Sequence, residues 1–514
     1  MDLPVKPARV QHREREWTLL AEFAARAERD RLRIAVVSGR RRYGKSFLLQ
    51  ALAEACGGLY LTAVQEDGAP AAKARFGRAI AAHAGLPASA VRLEDWEELL
   101  RTAFSVGARS GGGAAPLVVI DEFPYLLQHS PEIPGLLQHL YDEGQFGTAG
   151  APGGALVLCG SALSVMHELL SGQKPLRGRA LVDMRLGEFD FRQAREFWGI
   201  EDARAALQVH AVLGGAPGYA RLTDTDPPQS PEVFAPWVSR VLLSPDRATY
   251  SRTETEYLLR EDPRIRQRTT YYELLSAVAD GASTPTAIGA ALGRDRTALT
   301  HPLEVLESAG YLRREQDLLK QRSPIITIPD PVIRFNQVVT LPQAPLVEAG
   351  EGGRAWELAA HAFQSKVLGP HFEELARTYT AGWLHADLPG FQQGAVGAAE
   401  IADPGARTRH EVDVLVLAPG ETPRRAHRTV TLIGEAKATA TPRGLQDLQR
   451  LEHIRTLLAG QGHRVEGAVL ALFALSGFWP DLEAAAARRS DVLLVDLAAL
   501  YSDGPLRGGA VGGV

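Results

Sequence analysis

Between residues 33 and 222 the apolar positions gather into short unbroken runs separated by stretches of helical spacing. Arg33–Ser38 (RIAVVS), Gly58–Thr62 (GLYLT), Leu117–Ile120 (LVVI) and Ala155–Cys159 (ALVLC) are such runs. A strand with one wet face alternates apolar and polar residues. A strand covered on both faces does not, so these runs predict a parallel sheet with helices on both sides. Phe47–Cys56 has the helical spacing expected of a crossover. Strand alternating with helix predicts an α/β doubly wound fold. The Gly-rich stretches Ser110–Pro116 and Thr148–Gly154 read as its loops.

The pattern changes after the Pro-rich segment Pro227–Pro236. Tyr271–Asp280, Thr284–Leu292 and Asp295–Gly310 have helical spacing, and Tyr311–Arg314 and Ile325–Ile328 read as strands, the layout of a winged helix-turn-helix. A third pattern starts near Ala360: a helix over 369–380, strands over 411–418 and 428–436, a helix over 443–459, a strand over 466–474 and a last strand near Val492–Asp496. The expected divisions are 1–225, a helical lid and winged helix over 226–340, a linker over 341–365, a second α/β domain over 366–505 and a frayed Gly-rich tail over 506–514. No repeat or coiled-coil heptad is present.

Composition adds limits. A chain of 514 residues is too long for one hydrophobic core. Its net charge of −5 gives no global basic field, so any nucleic-acid contact must come from local patches. Cys56 and Cys159 are far apart in apolar surroundings and read as buried thiols of a reducing compartment. The start, MDLPVKPARVQHREREW, lacks the apolar core of a signal peptide, and no apolar run approaches the ~20 residues of a membrane span. A cytoplasmic location without a membrane partner is expected. The 14 histidines give no zinc-ligand spacing along the chain, and no Ser/His/Asp nucleophile set stands out.

Two sites carry chemistry. Gly39-Arg40-Arg41-Arg42-Tyr43-Gly44-Lys45-Ser46 fits the phosphate-loop pattern and follows a predicted strand. Its glycines let backbone N–H groups face a phosphate, Lys45 reaches the β- and γ-phosphates, and Ser46 offers a hydroxyl to Mg²⁺. Leu117–Ile120 then delivers Asp121, which can bind Mg²⁺ through water, and Glu122, placed to activate the attacking water. Ser161, at the end of ALVLCGS, either touches the γ-phosphate or water or caps the next helix. Arg177 and Arg179 either stabilise transition-state charge, in cis or across subunits, or form surface ion pairs.

These residues carry a family resemblance. Arg13-Glu14-Arg15-Glu16, GRRRYGKS, VVIDEFPYLL at 118–127, GSALSVMHELLSGQKPLRGR at 160–179, GEFDFRQAREF at 187–197, VLGGAPGYARL at 212–222 and IPDPVIRF at 328–335 resemble the archaeal-type AAA+ (STAND-like) ATPases with a DUF234-like C-terminal domain. The resemblance covers nearly the whole chain. It implies an AAA+-type P-loop core, a winged helix and a C-terminal domain similar to PD-(D/E)XK nucleases. Tyr43 replaces a residue that is more often small and aliphatic; the position faces away from phosphate, so ATP binding is expected to survive.

The residues of the third pattern agree with that implication. A hairpin centred near Pro423–Arg424 would set Asp413 opposite Glu435, and the strand period of two puts Glu435 and Lys437 on one face. Like charges directly opposed destabilise a sheet unless a cation joins them. Asp413, Glu435 and the Ala436 carbonyl can hold Mg²⁺, with Lys437 orienting or helping to deprotonate a water. Glu373, with Glu374 as competitor, supplies the acidic helix residue of such folds. The plainer reading is an exposed hairpin end with a Glu–Lys pair. In the winged helix, Arg294, Arg296, Thr297 and His301 begin the recognition helix, Arg313 and Arg314 lie in the wing, and Tyr271 and Tyr272 read as core. Across 264–322, 9 Lys+Arg meet 7 Asp+Glu, thin for strong DNA binding; a lever packed on the ATPase is the other reading.

The expectation is a Mg²⁺-dependent ATPase whose nucleotide state regulates a nuclease-like domain acting on DNA or RNA. The alternative is a signalling ATPase with an inactive C-terminal domain. ATP and Mg²⁺ are the expected ligands, nucleic acid the expected partner, and a nucleotide-dependent homo-oligomer stays open.

Overall fold

The computed structural model describes residues 3–91, 94–107, 115–147, 151–223, 225–247, 249–260, 262, 264–265, 268–320, 324–384, 388, 390–422 and 427–502. They form two compact units, one drawn from Met1–Phe189, Ala216–Tyr219 and Leu258–Arg264, the other from Asp190–Gly215, Ala220–Tyr257 and Ile265–Val514. The hairpin turn expected at Pro423–Arg424, the tail from Gly504, residues 110–114 of the first loop and 148–150 of the second lie outside the described residues.

The first unit holds five strands: β1 (Leu32–Ser38), β2 (Leu59–Thr62), β3 (Leu117–Asp121), β4 (Gly154–Gly160) and β5 (Ala180–Arg185). Their order is β2-β3-β4-β1-β5 and every pairing is parallel. β3 and β4 are buried at every position, as uniformly apolar runs require. Alternate residues feed opposite cores. Ile34, Val36, Val118, Ile120, Leu156 and Leu158 join one; Ala35, Val37, Val119, Val157 and Cys159 join the other. Parallel strands end on the same edge of the sheet. The segments following β1, β3 and β4 therefore share one rim, where ligands of such sheets sit.

The second unit begins with helices, among them Phe191–Trp198, capped by Asp190 and Gln193 in a capping box, and Ala203–Leu213. Three helices follow, Arg268–Ala279, Pro285–Leu292 and Arg296–Ser308, then antiparallel β6 (Arg313–Glu315) and β7 (Ile325–Thr327), the element order expected of a winged helix-turn-helix. The stretch 341–365, expected as a linker, is largely helical, with Ala344–Glu348, Gly352–Ala362 and a π-helical turn over Phe363–Leu368. Ala355, Ala359, Phe363 and Val367 recur every fourth residue and are all buried, so this segment belongs to a core. It leads into the helix Gly369–Gly382.

A mixed sheet closes this unit: β8 (Val396–Asp403), β9 (Thr408–Leu417), β10 (Val430–Lys437), β11 (Val469–Ala474) and β12 (Val492–Asp496), in the order β12-β11-β10-β9-β8. β8–β9 and β9–β10 are antiparallel; β10–β11 and β11–β12 are parallel. The helix Leu445–Gly460 buries Leu448, Leu451, Ile454 and Leu458 against it. Beyond β6 the chain docks on the edge strand β8. Leu318 N–H donates to the Ala398 carbonyl at 3.1 Å, the Glu400 amide donates to Asp317 at 2.8 Å, and Leu318 joins the sheet's apolar core. That contact covers an edge that would otherwise be open to pairing. Among the described residues no helix is long and apolar enough to cross a membrane.

Candidate functional site

The turn after β1 is shaped by two glycines. A Cβ on Gly39 would lie 2.6 Å from the Leu186 carbonyl oxygen, and Gly44 has φ of 87°. Gly44 caps the helix Lys45–Cys56 without a side-chain hydrogen bond, so the first-turn amides are not taken up by a cap. Arg42 is left-handed at φ 70°; its carbonyl accepts the Gly218 amide at 2.9 Å, so the turn Pro217–Tyr219 braces the loop. Lys45 is buried and its ammonium donates to the Arg40 carbonyl at 3.0 Å. Buried Arg13 donates to the carbonyls of Tyr43 at 3.2 Å and Gly187 at 2.8 Å and lies 4.4 Å from the Phe189 ring centre.

The acids at the end of β3 face this turn. The Tyr60 hydroxyl donates to Asp121 Oδ2 at 2.5 Å, with Ser46 beside it. Ser46, Tyr60 and Asp121 thus lie together. Glu122 turns out of β3 with φ of 53°, its amide bonded to Asp121 Oδ1 at 2.9 Å. Ser161 does not cap the following helix; its hydroxyl donates to Glu122 Oε2 at 3.2 Å. Burial first, then the charge of Asp121, pushes the Glu122 carboxyl above the ordinary range, while Lys45, Ser161 and Arg41 offset part of the rise. Arg179 forms a two-pronged ion pair with Asp142 at 3.0 and 2.8 Å, and Arg177 donates to the Gly172 carbonyl. No hydrogen bond or ion pair among the described residues joins either arginine to Lys45, Ser46, Asp121 or Glu122. The surface-pair reading describes Arg179 as it stands.

A second cluster lies in the mixed sheet. Gly434 pairs with Val414, and continuing that register sets Glu435 opposite Asp413. Both acids are buried. Lys437 Nζ sits 3.2 Å from Asp413 Oδ2 and 3.2 Å from Glu435 Oε1. The Ala436 amide donates to Asp413 Oδ2 at 2.9 Å. Arg450 pairs with Glu435, and Glu435 Oε2 is buried with no hydrogen-bond partner among the described residues. Burial works against the Lys437 charge, but Asp413 and Glu435 outweigh it and hold the ammonium above its usual range. Lys437 can therefore orient a water but is poorly suited to take its proton. The helix Gly369–Gly382 separates the two competing glutamates. Glu374 pairs with Arg313 and lies 3.7 Å from Arg334. Glu373 has Asp413 as its main charged neighbour; burial first, then that charge, pushes its carboxyl up to about 7.

No family model matches the chain. An uncharacterised protein of Methanocaldococcus jannaschii is 25% identical over 372 residues, 71% of this chain and 76% of its own length. Among solved structures the chain is similar to the Walker-type ATPase of Pyrococcus abyssi, at 18% identity, 65% of this chain, 98% of that one and a TM-score of 0.46. It is also similar to the ORC2 protein of Aeropyrum pernix in its ADPNP–ADP complexes, at 14% identity, 70% and 98% coverage and a TM-score of 0.41. Cdc6p of Pyrobaculum aerophilum matches at 15% identity, 69% and 97% coverage and a TM-score of 0.33.

Of the residues expected to begin a recognition helix, Arg296, Thr297 and His301 are exposed on the first turns of Arg296–Ser308. Arg294 pairs with Glu273 at 2.7 Å, and both cations expected in a wing are paired as well, Arg314 with Glu307 at 2.6 Å and Arg313 with Glu315 and Glu374. Sequence reasoning missed Tyr60, Arg13 as a brace of the loop, and Gly218. Tyr60 becomes legible only once the register pairs Thr62 with Asp121; the other two act through contacts distant in sequence.

Proposed function

We propose that this chain is a Mg²⁺-dependent ATPase with an AAA+-type core. The observation that carries the reading is the convergence of Ser46, Tyr60, Asp121 and Glu122 at one rim of the parallel sheet. Loop amides and Lys45 bind the β- and γ-phosphates. Ser46 and Asp121 would hold Mg²⁺; the fit rests on Asp121, a buried carboxylate whose Oδ2 accepts only a neutral phenol hydroxyl in the hydrogen bond from Tyr60. Bound there, the ion supplies charge neutralisation for the phosphates. Glu122 orients the attacking water and accepts its proton, and Ser161 fixes the orientation of Glu122.

The ATPase would regulate a nuclease-like domain acting on DNA or RNA. Asp413, Glu435 and Glu373 would hold a divalent cation there, and the partnerless buried Oε2 of Glu435 supports the fit. The cation would polarise the scissile phosphate. A regulatory ATPase with an inactive C-terminal domain is the second reading, favoured by Lys437 and Arg450 already pairing with Glu435.

Labelled DNA and RNA incubated with Mg²⁺ or Mn²⁺, with and without ATP, separate these readings. Lys45→Ala should abolish ATP turnover, and Glu435→Ala should abolish cleavage while leaving turnover intact. Turnover without cleavage under every condition selects the regulatory reading. No heat on titrating Mg·ATP into the wild-type chain removes both.

A further inference from the structure

The 14 histidines show no ligand spacing along the chain, yet the fold brings two of them to one carboxylate. Asp403 ends β8, His410 lies on β9 across the hairpin, and His453 comes from the helix Leu445–Gly460. Asp403 Oδ2 is 2.8 Å from His453 Nε2 and 3.4 Å from His410 Nε2. The three ligand atoms lie within 4.8 Å of one another, and the two rings meet edge-on with centres 5.4 Å apart. Zinc binds imidazole nitrogen and carboxylate oxygen at about 2.0–2.2 Å, so the edges of its tetrahedron are roughly 3.3 Å long. The two measured separations bracket that length.

Two further features suit a cation. The Ala406 amide donates to Asp403 Oδ1 at 3.0 Å, fixing the carboxylate so that Oδ2 faces both imidazoles. Asp403 is buried, and no lysine or arginine among the described residues pairs with it. The other grouping of comparable residues, Glu97, His139 and Glu143, is different, because Arg101 already neutralises both acids.

We propose that Asp403, His410 and His453 bind one zinc-class divalent cation, with a fourth position open to solvent. The ion ties the β8–β9 hairpin to the helix Leu445–Gly460. The site is separate from the Asp413–Glu435 cluster in chemistry as well as place. Nitrogen ligands and low coordination select Zn²⁺ or Co²⁺, whereas carboxylates with waters suit Mg²⁺.

Cobalt distinguishes the sites, since tetrahedral Co²⁺ absorbs far more strongly in the visible than octahedral Co²⁺. The metal-stripped full-length chain titrated with Co²⁺ should develop a tetrahedral d–d spectrum that saturates at one equivalent and is lost on adding Zn²⁺. The spectrum should persist in Glu435→Gln and Ser46→Ala and vanish in His410→Ala and His453→Ala. His453 is half-exposed, so its replacement tests the site without emptying a core. His453→Cys should restore binding with an added thiolate-to-cobalt band, although cysteine cannot reproduce the imidazole–carboxylate hydrogen bond. A wild-type spectrum identical to that of His453→Ala, or no tetrahedral absorption, overturns the proposal.

Discussion

At the scale of single residues, Glu122 is where charge and burial decide chemistry. Its carboxyl sits above the ordinary range because it is buried beside Asp121. A general base must be ionised, so turnover should rise with pH through a midpoint higher than that of a free glutamate and then level off. Glu122→Gln should lower kcat by about 10²–10⁴-fold, leave Mg·ATP affinity close to wild type and remove the acidic limb from the residual rate. Parallel measurements of turnover and nucleotide binding check this; equal losses in both would assign Glu122 to binding. Tyr60 poses a neighbouring question. Its hydroxyl donates to Asp121 beside Ser46, so Tyr60→Phe leaves a buried carboxylate oxygen without its donor. The expected outcome is a changed Mg²⁺ concentration dependence of turnover with nucleotide affinity retained. An unchanged Mg²⁺ dependence would reduce Tyr60 to packing.

At the scale of elements, legibility followed burial. β3 and β4 could be read from the sequence because each is apolar throughout and wholly buried. β5 and β8 escaped because neither is a uniformly apolar run. β5 buries only Val182 and Met184, and β8 is built largely of small residues with a mixed burial pattern. The helices over 344–362 escaped because glycines and prolines around them masked a four-residue apolar repeat. The turn over 39–46 was legible because backbone geometry demands particular residues at particular places. Gly39 joins β1 to that loop so close to Leu186 that a methyl group would fall 2.6 Å from a backbone oxygen. Backbone cannot swing aside as a flexible side chain can. Gly39→Ala should therefore cost roughly 1–3 kcal/mol in the unfolding of the first unit and weaken ATP binding. Denaturant titration with and without Mg·ATP measures both, and a variant of wild-type stability would mean that β5 yields easily.

At the scale of the molecule, protonation of one glutamate should set how stability depends on pH. Glu373 keeps its proton up to about pH 7 in the folded chain but, once exposed by unfolding, releases it near the ordinary 4.5. Between those values the folded state binds more protons than the unfolded state, so this group makes stability fall as pH rises. The contribution is fully present below the unfolded value and is lost by the time pH passes the folded one. A divalent cation beside Asp413 should reverse the balance, because a positive charge favours ionised Glu373. Mg²⁺ or Mn²⁺ should then raise the unfolding midpoint of the mixed-sheet unit at pH 8 and do little at pH 5. Glu373→Gln should flatten the pH dependence between those limits, stand above the wild type at pH 8 without metal, and lose much of the metal-induced rise. Thermal unfolding across pH, with and without the ion, separates the outcomes. A rise equal at both pH values and in both proteins would place the cation elsewhere, whereas one confined to ionised Glu373 ties the acid on the helix to the pair on the strands.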